Sequence, residues 1–156
     1  MQTRELQKLW WDWLSTSERL LRSLHEQTAA LTLRDVMRVE RIQPELDQML
    51  GHMKQIDDNA AASARKLAEE LGAEPNLRSL VLVLEKTEAQ QLQSLANRVM
   101  VAARNVQAVI EKNQTLIENE MSFIGGTLTL MARIAGDTQG PFRRPAQAAI
   151  LVDQAA

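Results

Sequence analysis

The sequence contains no cysteine and no tyrosine, and aromatic residues make up only 3% of its 156 positions. The absence of cysteine excludes disulfides, thiol catalysis and cysteine-based zinc sites. Six glycines and four prolines leave few turns, and the Asn-Gly dipeptide that closes many β-hairpins does not occur. The hydrophobic content of 45% is nevertheless sufficient for a core. Together these features predict an all-α protein.

Strong charge of either sign is also missing, since the formal net charge is -2. This balance gives no general reason to bind nucleic acid or an anionic membrane, and the pair Arg143-Arg144 is too short for a nucleic-acid footprint. The longest uncharged run, from Met121 to Ala132, is too short to span a bilayer. No apolar export segment follows Met1. We therefore expect a soluble protein without stable membrane insertion.

One long stretch, Thr87 to Ala135, organises the chain because its apolar residues recur every three or four positions. This seam comprises Ala96, Val99, Ala103, Val106, Ile110, Ile117, Met121, Ile124, Leu128, Met131 and Ala135. Thr87 followed by Gln90 predicts the helix start, and Gly136 predicts its end. Such a helix is about 70 Å long, which predicts a rod.

Three further helices are predicted before it. The first runs from Gln2 to about Ala30, with a connection around residues 31–33, and the second follows an apolar stripe from Val39 to Leu71. Pro44 should kink this helix or begin its longer part, and Gly72 should end it. Local propensity would allow a strand at residues 77–84, but a lone strand would have no partner, so we prefer a short helix across the bundle end. The expected fold is an elongated antiparallel bundle of three long helices and one short helix over residues 1–136, followed by a flexible tail over residues 137–156.

Residues suited to catalysis are scarce. His25 and His52 are predicted on outer faces, and neither is preceded by a glutamate at the Glu-x-x-His spacing of di-iron bundles. The sequence also lacks a Gly-x-x-x-x-Gly-Lys phosphate loop. We therefore expect no enzyme activity, no cofactor and no metal ion.

Several residues point instead to register and binding. Asn113 is the one polar residue in the long seam, and a single core Asn often fixes helix register. Trp10 and Trp13 fit the core, whereas Trp11 lies off the stripe, where it is a candidate surface contact. The apolar residues 150–152 either pack back on the bundle or are kept for a partner or a second copy of the chain.

A segment of the long helix resembles the one that marks FlgN-type flagellar export chaperones. It comprises Asn113, Leu116 and Ile117, followed by Met121, Phe123 and Ile124. The order of helices, the Leu-Gly at residues 71–72 and the glycine-containing tail are also similar to this family. Family members often carry a tyrosine in the tail, where this chain has Phe142, and Leu151-Val152-Asp153 matches a late element.

The resemblance implies a cytoplasmic chaperone that binds hook-associated proteins, prevents their premature assembly and delivers them to the flagellar export gate. It makes Phe142, Ile150, Leu151 and Val152 the candidate client-binding residues, with the clients' C-terminal helical regions as ligands. The alternatives are a generic helical adaptor or coiled-coil homodimer, including a chaperone for another secretion system.

Overall fold

The computed structural model describes residues 3–123, which form four α-helices joined by short turns. These are α1 (Arg4–Thr32), α2 (Val36–Leu71), α3 (Leu77–Val83) and α4 (Lys86–Phe123). The described part contains no strand. The predicted all-α fold, with three long helices and one short one, is therefore confirmed, including the helical assignment of residues 77–83.

The turn between α1 and α2 lies slightly later than the sequence indicates. α1 continues to Thr32, and the chain reverses through Arg34, whose φ of 58° lies in the left-handed region. The amide of Asp35 donates to the Ala30 carbonyl at 2.9 Å, which satisfies a carbonyl of the last turn of α1. The Asp35 carboxylate then accepts from the Arg38 amide at 3.1 Å and begins α2. The position of Arg34 favours glycine, and an arginine there does not mark a turn in the sequence. The sequence therefore places the connection between α1 and α2 too early.

α2 runs without interruption through Pro44, so this proline does not divide the helix. It ends where the sequence predicts, at Gly72, whose φ is 66°. The amide of Ala73 donates to the Ala68 carbonyl at 2.9 Å and closes the last turn. This is the arrangement in which a left-handed glycine commonly follows a helix.

Substituting alanine for Gly72 should lower the free energy of unfolding by about 1 kcal/mol, because an L side chain is strained at positive φ. An added Cβ would meet no atom within 4 Å, so this cost is purely conformational. Gly51 is the matched control, since it lies inside α2 with equally open space. Gly51→Ala should raise the free energy of unfolding by about 0.5–1 kcal/mol. Urea denaturation of both variants measures the opposite signs, and a stabilising Gly72→Ala would contradict the assignment.

α4 begins one residue before Thr87, so the predicted Thr87 N-cap is wrong. The amide of Ala89 donates to the Glu85 carbonyl at 2.9 Å, and the amide of Thr87 donates to the Glu85 carboxylate at 3.4 Å. Glu85 thus takes the capping position. The described helix of 38 residues is about 57 Å long, and the prediction that it continues to Ala135 falls on residues outside the described range.

The long helices pack as an elongated three-helix bundle in which α1 contacts both α2 and α4. α2 and α4 make few close backbone contacts with each other, so α1 is the central helix of the core. The polar pairs Thr3–Glu88 and Thr28–Asn113 are each separated by 85 residues. This constant offset means that α1 and α4 run parallel, with α2 antiparallel to both.

The apolar stripes predicted for the helices form the core of this bundle. Buried members include Leu6, Trp10, Trp13, Leu20 and Leu24 of α1, Val39, Ile42, Leu46 and Met53 of α2, and Ala96, Val99, Val106, Ile110 and Ile117 of α4. Leu77, Leu80 and Leu84 bury α3 and its end against the others. Within residues 3–123, every helix is too short or too polar to cross a lipid bilayer.

Candidate functional site

A buried polar network crosses all three long helices near the turn between α1 and α2. The side chain of Asn113 on α4 is fully buried, and its Nδ2 donates to the Leu24 carbonyl at 3.0 Å and to Gln27 Oε1 at 2.8 Å. Gln27 is also fully buried, and its Nε2 donates to Gln43 Oε1 on α2 at 3.4 Å. Gln43 Nε2 in turn donates to Asp47 Oδ1 at 2.9 Å. Amides thus join the three helices through the core.

The network has a direction, which the Asp47 carboxylate sets. A carboxylate only accepts hydrogen bonds when ionised, so Gln43 must turn its NH2 toward Asp47 and its oxygen toward Gln27. Gln27 must then present its own oxygen to Asn113. This leaves Asn113 Oδ1 as the acceptor for the Thr28 hydroxyl, 2.5 Å away. The orientation of each amide is therefore determined by its neighbour rather than chosen independently.

A second polar contact joins α1 and α4 at the opposite end of the bundle. Glu88, in the first turn of α4, accepts from the Thr3 hydroxyl at 3.1 Å and from the Thr3 amide at 3.4 Å. The Gln7 side chain donates to the same hydroxyl at 2.8 Å. Thr3 and Glu88 are both buried. Polar contacts near both ends of the α1–α4 pair thus hold the two helices in a single register.

Between these two contacts, a groove runs along the outer surface where α1 and α4 meet. Its larger part has a volume of about 560 Å³ and is lined by apolar, amide and charged side chains. A second depression at the Trp11 end adjoins the first, because Ser94 and Arg98 line both. We call this surface the α1/α4 groove; its lining includes Trp11, Leu14, Glu18, Leu21, Arg98, Val101, Ala102 and Asn105.

Trp11 and Arg98 meet across this groove. Trp11 is 48% exposed, in contrast to the buried Trp10 and Trp13 beside it. The Arg98 guanidinium lies 5.4 Å from the centre of the Trp11 ring, which is a cation–π distance. Val101, one turn further along α4, is 56% exposed despite being apolar. An exposed tryptophan, arginine and valine on one surface have the composition of a contact site.

The residues predicted as functional lie in different parts of the chain. Trp11 is exposed on the groove, whereas Asn113 and Ile117 are buried and Leu116 is half-buried in the bundle. For Met121 and Phe123 the structure describes only the helical backbone. Ile124, Phe142, Ile150, Leu151 and Val152 lie outside the described residues. The predicted grouping of the tail residues therefore falls outside the described part of the chain.

Sequence reasoning missed Gln27, Gln43 and Arg98. Gln27 had a detectable signal, because it occupies the seam position between Leu24 and Leu31 that an apolar residue would normally fill. Gln43 and Arg98 had none, since both sit among other polar residues on helix surfaces. Their contacts depend on which helices become neighbours.

The described residues contain no group of three or more His, Asp or Glu side chains that could hold a metal ion. His25 and His52 are exposed, as predicted. Burial and the neighbouring Asp58 raise the pKa of Asp57 on α2, with Lys54 opposing the shift. This carboxyl does not line the α1/α4 groove. The described side chains are therefore suited to packing between helices and to contact with another molecule.

Comparison with known families gives one match. A family model described as FlgN protein matches residues 1–142, which covers the whole described bundle and extends to Phe142. Residues 150–152 lie beyond the matched range. Searches of curated proteins and of solved structures gave no match.

Proposed function

The chain belongs to the FlgN protein family, and from this premise we propose that it is a cytoplasmic flagellar type III export chaperone. Membership implies the general role of a flagellar export chaperone. The proposal is that its clients are the hook-associated proteins of the hook–filament junction. In this role the protein keeps them unassembled before export and delivers them to the export gate.

The family match over residues 1–142 is the observation that carries this proposal. The physical character of the bundle supports it. Clients of this kind assemble through exposed amphipathic terminal helices, and a helical surface with an apolar groove can cover such helices before assembly. The α1/α4 groove exposes Trp11 and Val101 for a contact of this kind.

We assign the tail a part in client binding. Phe142, Ile150, Leu151 and Val152 are its apolar candidates, as the sequence predicts. A segment that orders only on binding loses conformational entropy, which keeps affinity moderate and allows release at the export gate. The motif residues Asn113, Leu116, Ile117, Met121, Phe123 and Ile124 precede it on the chain, and we assign Asn113 the task of fixing helix register.

The proposal predicts 1:1 binding to the C-terminal region of one or two hook-associated proteins from the same cell, measured by calorimetry. Deleting residues 137–156 should raise the dissociation constant about tenfold or more, because it removes the apolar contacts of the tail. Replacing residues 150–152 with serine should act in the same direction. Leu82→Ser, at an 80% exposed position on α3, is the matched control and should bind normally.

Other results would change the assignment. Binding that survives the deletion would retain the chaperone role but move the client site to the bundle. A wild-type protein that binds none of these regions would return the chain to the class of helical adaptors. Light scattering over a concentration series then tests the homodimer alternative, since a dimer would show a mass of twice 17.5 kDa.

A further inference from the structure

We propose that the α1/α4 groove is a client site on the bundle itself, and that it binds one amphipathic helix bearing an acidic residue opposite Arg98 and a basic residue opposite Glu18. This inference rests on the proposed function, because it takes the ligand to be a helix of an export client. It differs from the tail assignment in placing a binding surface on Trp11, Arg98, Val101 and Glu18.

The groove has the composition of an interface core. Between residues 89 and 110, α4 carries only Arg98 and Arg104 as charged side chains, and its outer surface is otherwise built from amide, small and apolar residues. The outer face of α2, by contrast, alternates acidic and basic residues. Depletion of charge together with exposed tryptophan and arginine distinguishes the centre of an interface from ordinary surface. The two faces of the bundle are thus chemically different.

The shape of the groove suits a helix. Its lining follows two parallel helices from Trp11 to Leu21 on α1, a length of about 15 Å or three helical turns. A helix that lies in such a groove inserts apolar side chains at a spacing of three, four and seven residues. Leu14, Leu21 and Val101 provide the apolar contacts for these side chains.

Charges in the groove specify the partner further. Arg98 stacks on Trp11 and forms no ion pair with any residue from 3 to 123, and Glu18 forms none within the same range. Arg98 and Glu18 both line the groove, and the offset of 85 residues between α1 and α4 places Glu18 further along the bundle than Arg98. An acidic residue opposite Arg98 and a basic residue opposite Glu18 would satisfy both.

The test uses the full-length protein and the C-terminal region of each hook-associated protein, titrated by calorimetry. Arg98→Glu and Val101→Asp should each raise the dissociation constant of a bound client about tenfold or more. Arg104→Glu is the matched control, because it makes the same charge change on the same helix outside the groove lining. It should leave the dissociation constant within about twofold of wild type. Combining Arg98→Glu with an acid-to-arginine change in the client helix should restore affinity.

The outcomes separate this inference from the proposed function. If the wild-type protein binds a client and both groove variants bind equally well, the groove assignment is wrong and the chaperone assignment stands. If the wild-type protein binds no client, the proposed function fails first. If the groove variants keep their affinity for the client but lose affinity for a peptide of residues 124–156, or if they change the mass measured by light scattering, the occupant is the chain's own C-terminal segment or a second copy. Either result overturns the assignment of a client helix. Circular dichroism confirms that the variants fold, as expected for substitutions at exposed positions.

Discussion

Replacing Asn113 with aspartate should lower the free energy of unfolding by about 3 kcal/mol or more at neutral pH. Aspartate has nearly the same shape, so the variant changes hydrogen bonding without creating a cavity. In the wild type, Asn113 Nδ2 donates to two oxygens, those of the Leu24 carbonyl and of Gln27 Oε1. A carboxylate oxygen in its place would face both acceptors with no proton between them, at a fully buried position.

Rotation of the Gln27 amide would not relieve this conflict. If Gln27 turned its NH2 toward residue 113, its oxygen would face the oxygen of Gln43. Gln43 would then have to turn as well and would direct its oxygen at the Asp47 carboxylate. Each rotation only moves the contact between two oxygens one step toward α2. The last of these contacts, between Gln43 and Asp47, lies at the surface. We therefore expect rotation of these amides to reduce the loss of unfolding free energy caused by Asn113→Asp but not to remove it.

The pH dependence of the Asn113→Asp variant provides an independent check. Burial among acceptors raises the folded-state pKa of the new carboxyl above its unfolded value of about 3.9. When the pH is below the unfolded value, the carboxyl is protonated in the folded and unfolded states and can donate a hydrogen bond. The stability deficit of the variant relative to wild type is then smallest. As pH rises through the unfolded pKa toward the folded pKa, the unfolded state loses its proton first and the deficit grows by up to about 1.4 kcal/mol per pH unit.

Urea denaturation of wild type and variant between about pH 3 and pH 8 would measure this deficit, because that range brackets the expected rise. Asn119→Asp is the matched control, because Asn119 lies on the same helix at an exposed position. It should change the free energy of unfolding by less than about 0.5 kcal/mol. An Asn113→Asp variant as stable as the control would mean that the polar network does not hold the helices together.

The parts of the fold that follow from local sequence were predictable. The spacing of Leu20, Leu24 and Leu31 determines which face of α1 is buried, and Gly72 ends α2 because its backbone conformation favours glycine. These features depend on residues close together in the chain. The predicted family segment at Asn113 was recognisable for the same reason, since one polar residue in an apolar seam is visible without a structure.

The candidate groove was not predictable to the same extent. Trp11 was identifiable because it lies off the stripe, but its contact with Arg98 joins residues 87 positions apart. That contact exists only because α1 and α4 run parallel with an offset close to 85 residues. The pattern within one helix alone does not reveal the offset, because it depends on polar residues that pair only when the two helices pack together. The predicted antiparallel bundle did not specify which two helices run in the same direction.

The polar contacts between α1 and α4 connect the fold to the proposed binding surface. Thr3 with Glu88 and Thr28 with Asn113 have the same sequence separation, and the Trp11–Arg98 contact lies between them. A shift of one residue between the helices would move one relative to the other by about 1.5 Å and turn its side chains by about 100°. Such a shift would separate the groove residues. Apolar side chains tolerate alternative packing more readily than directional hydrogen bonds do, so the polar pairs provide the register.

Replacing Trp13 with alanine should lower the free energy of unfolding by about 3–5 kcal/mol, the usual cost of removing a large buried aromatic side chain. Trp13 is 2% exposed and lies on α1, the helix that packs against both α2 and α4. Its indole N–H has no acceptor among the described residues. The contribution of this residue is therefore packing, and Trp13→Phe should retain most of the stability.

Trp11→Ala is the matched control, since it removes the same side chain two residues away at a half-exposed position. It should cost less than about 1 kcal/mol of stability, including the lost contact with Arg98, and should instead weaken client binding. Urea denaturation followed by circular dichroism compares the variants without relying on tryptophan fluorescence, which each substitution alters. Equal destabilisation by Trp11→Ala and Trp13→Ala would contradict the assignment of Trp13 to the core and Trp11 to the binding surface. In that case Trp11 would support the fold, and the case for the α1/α4 groove as a binding surface would lose its principal aromatic residue.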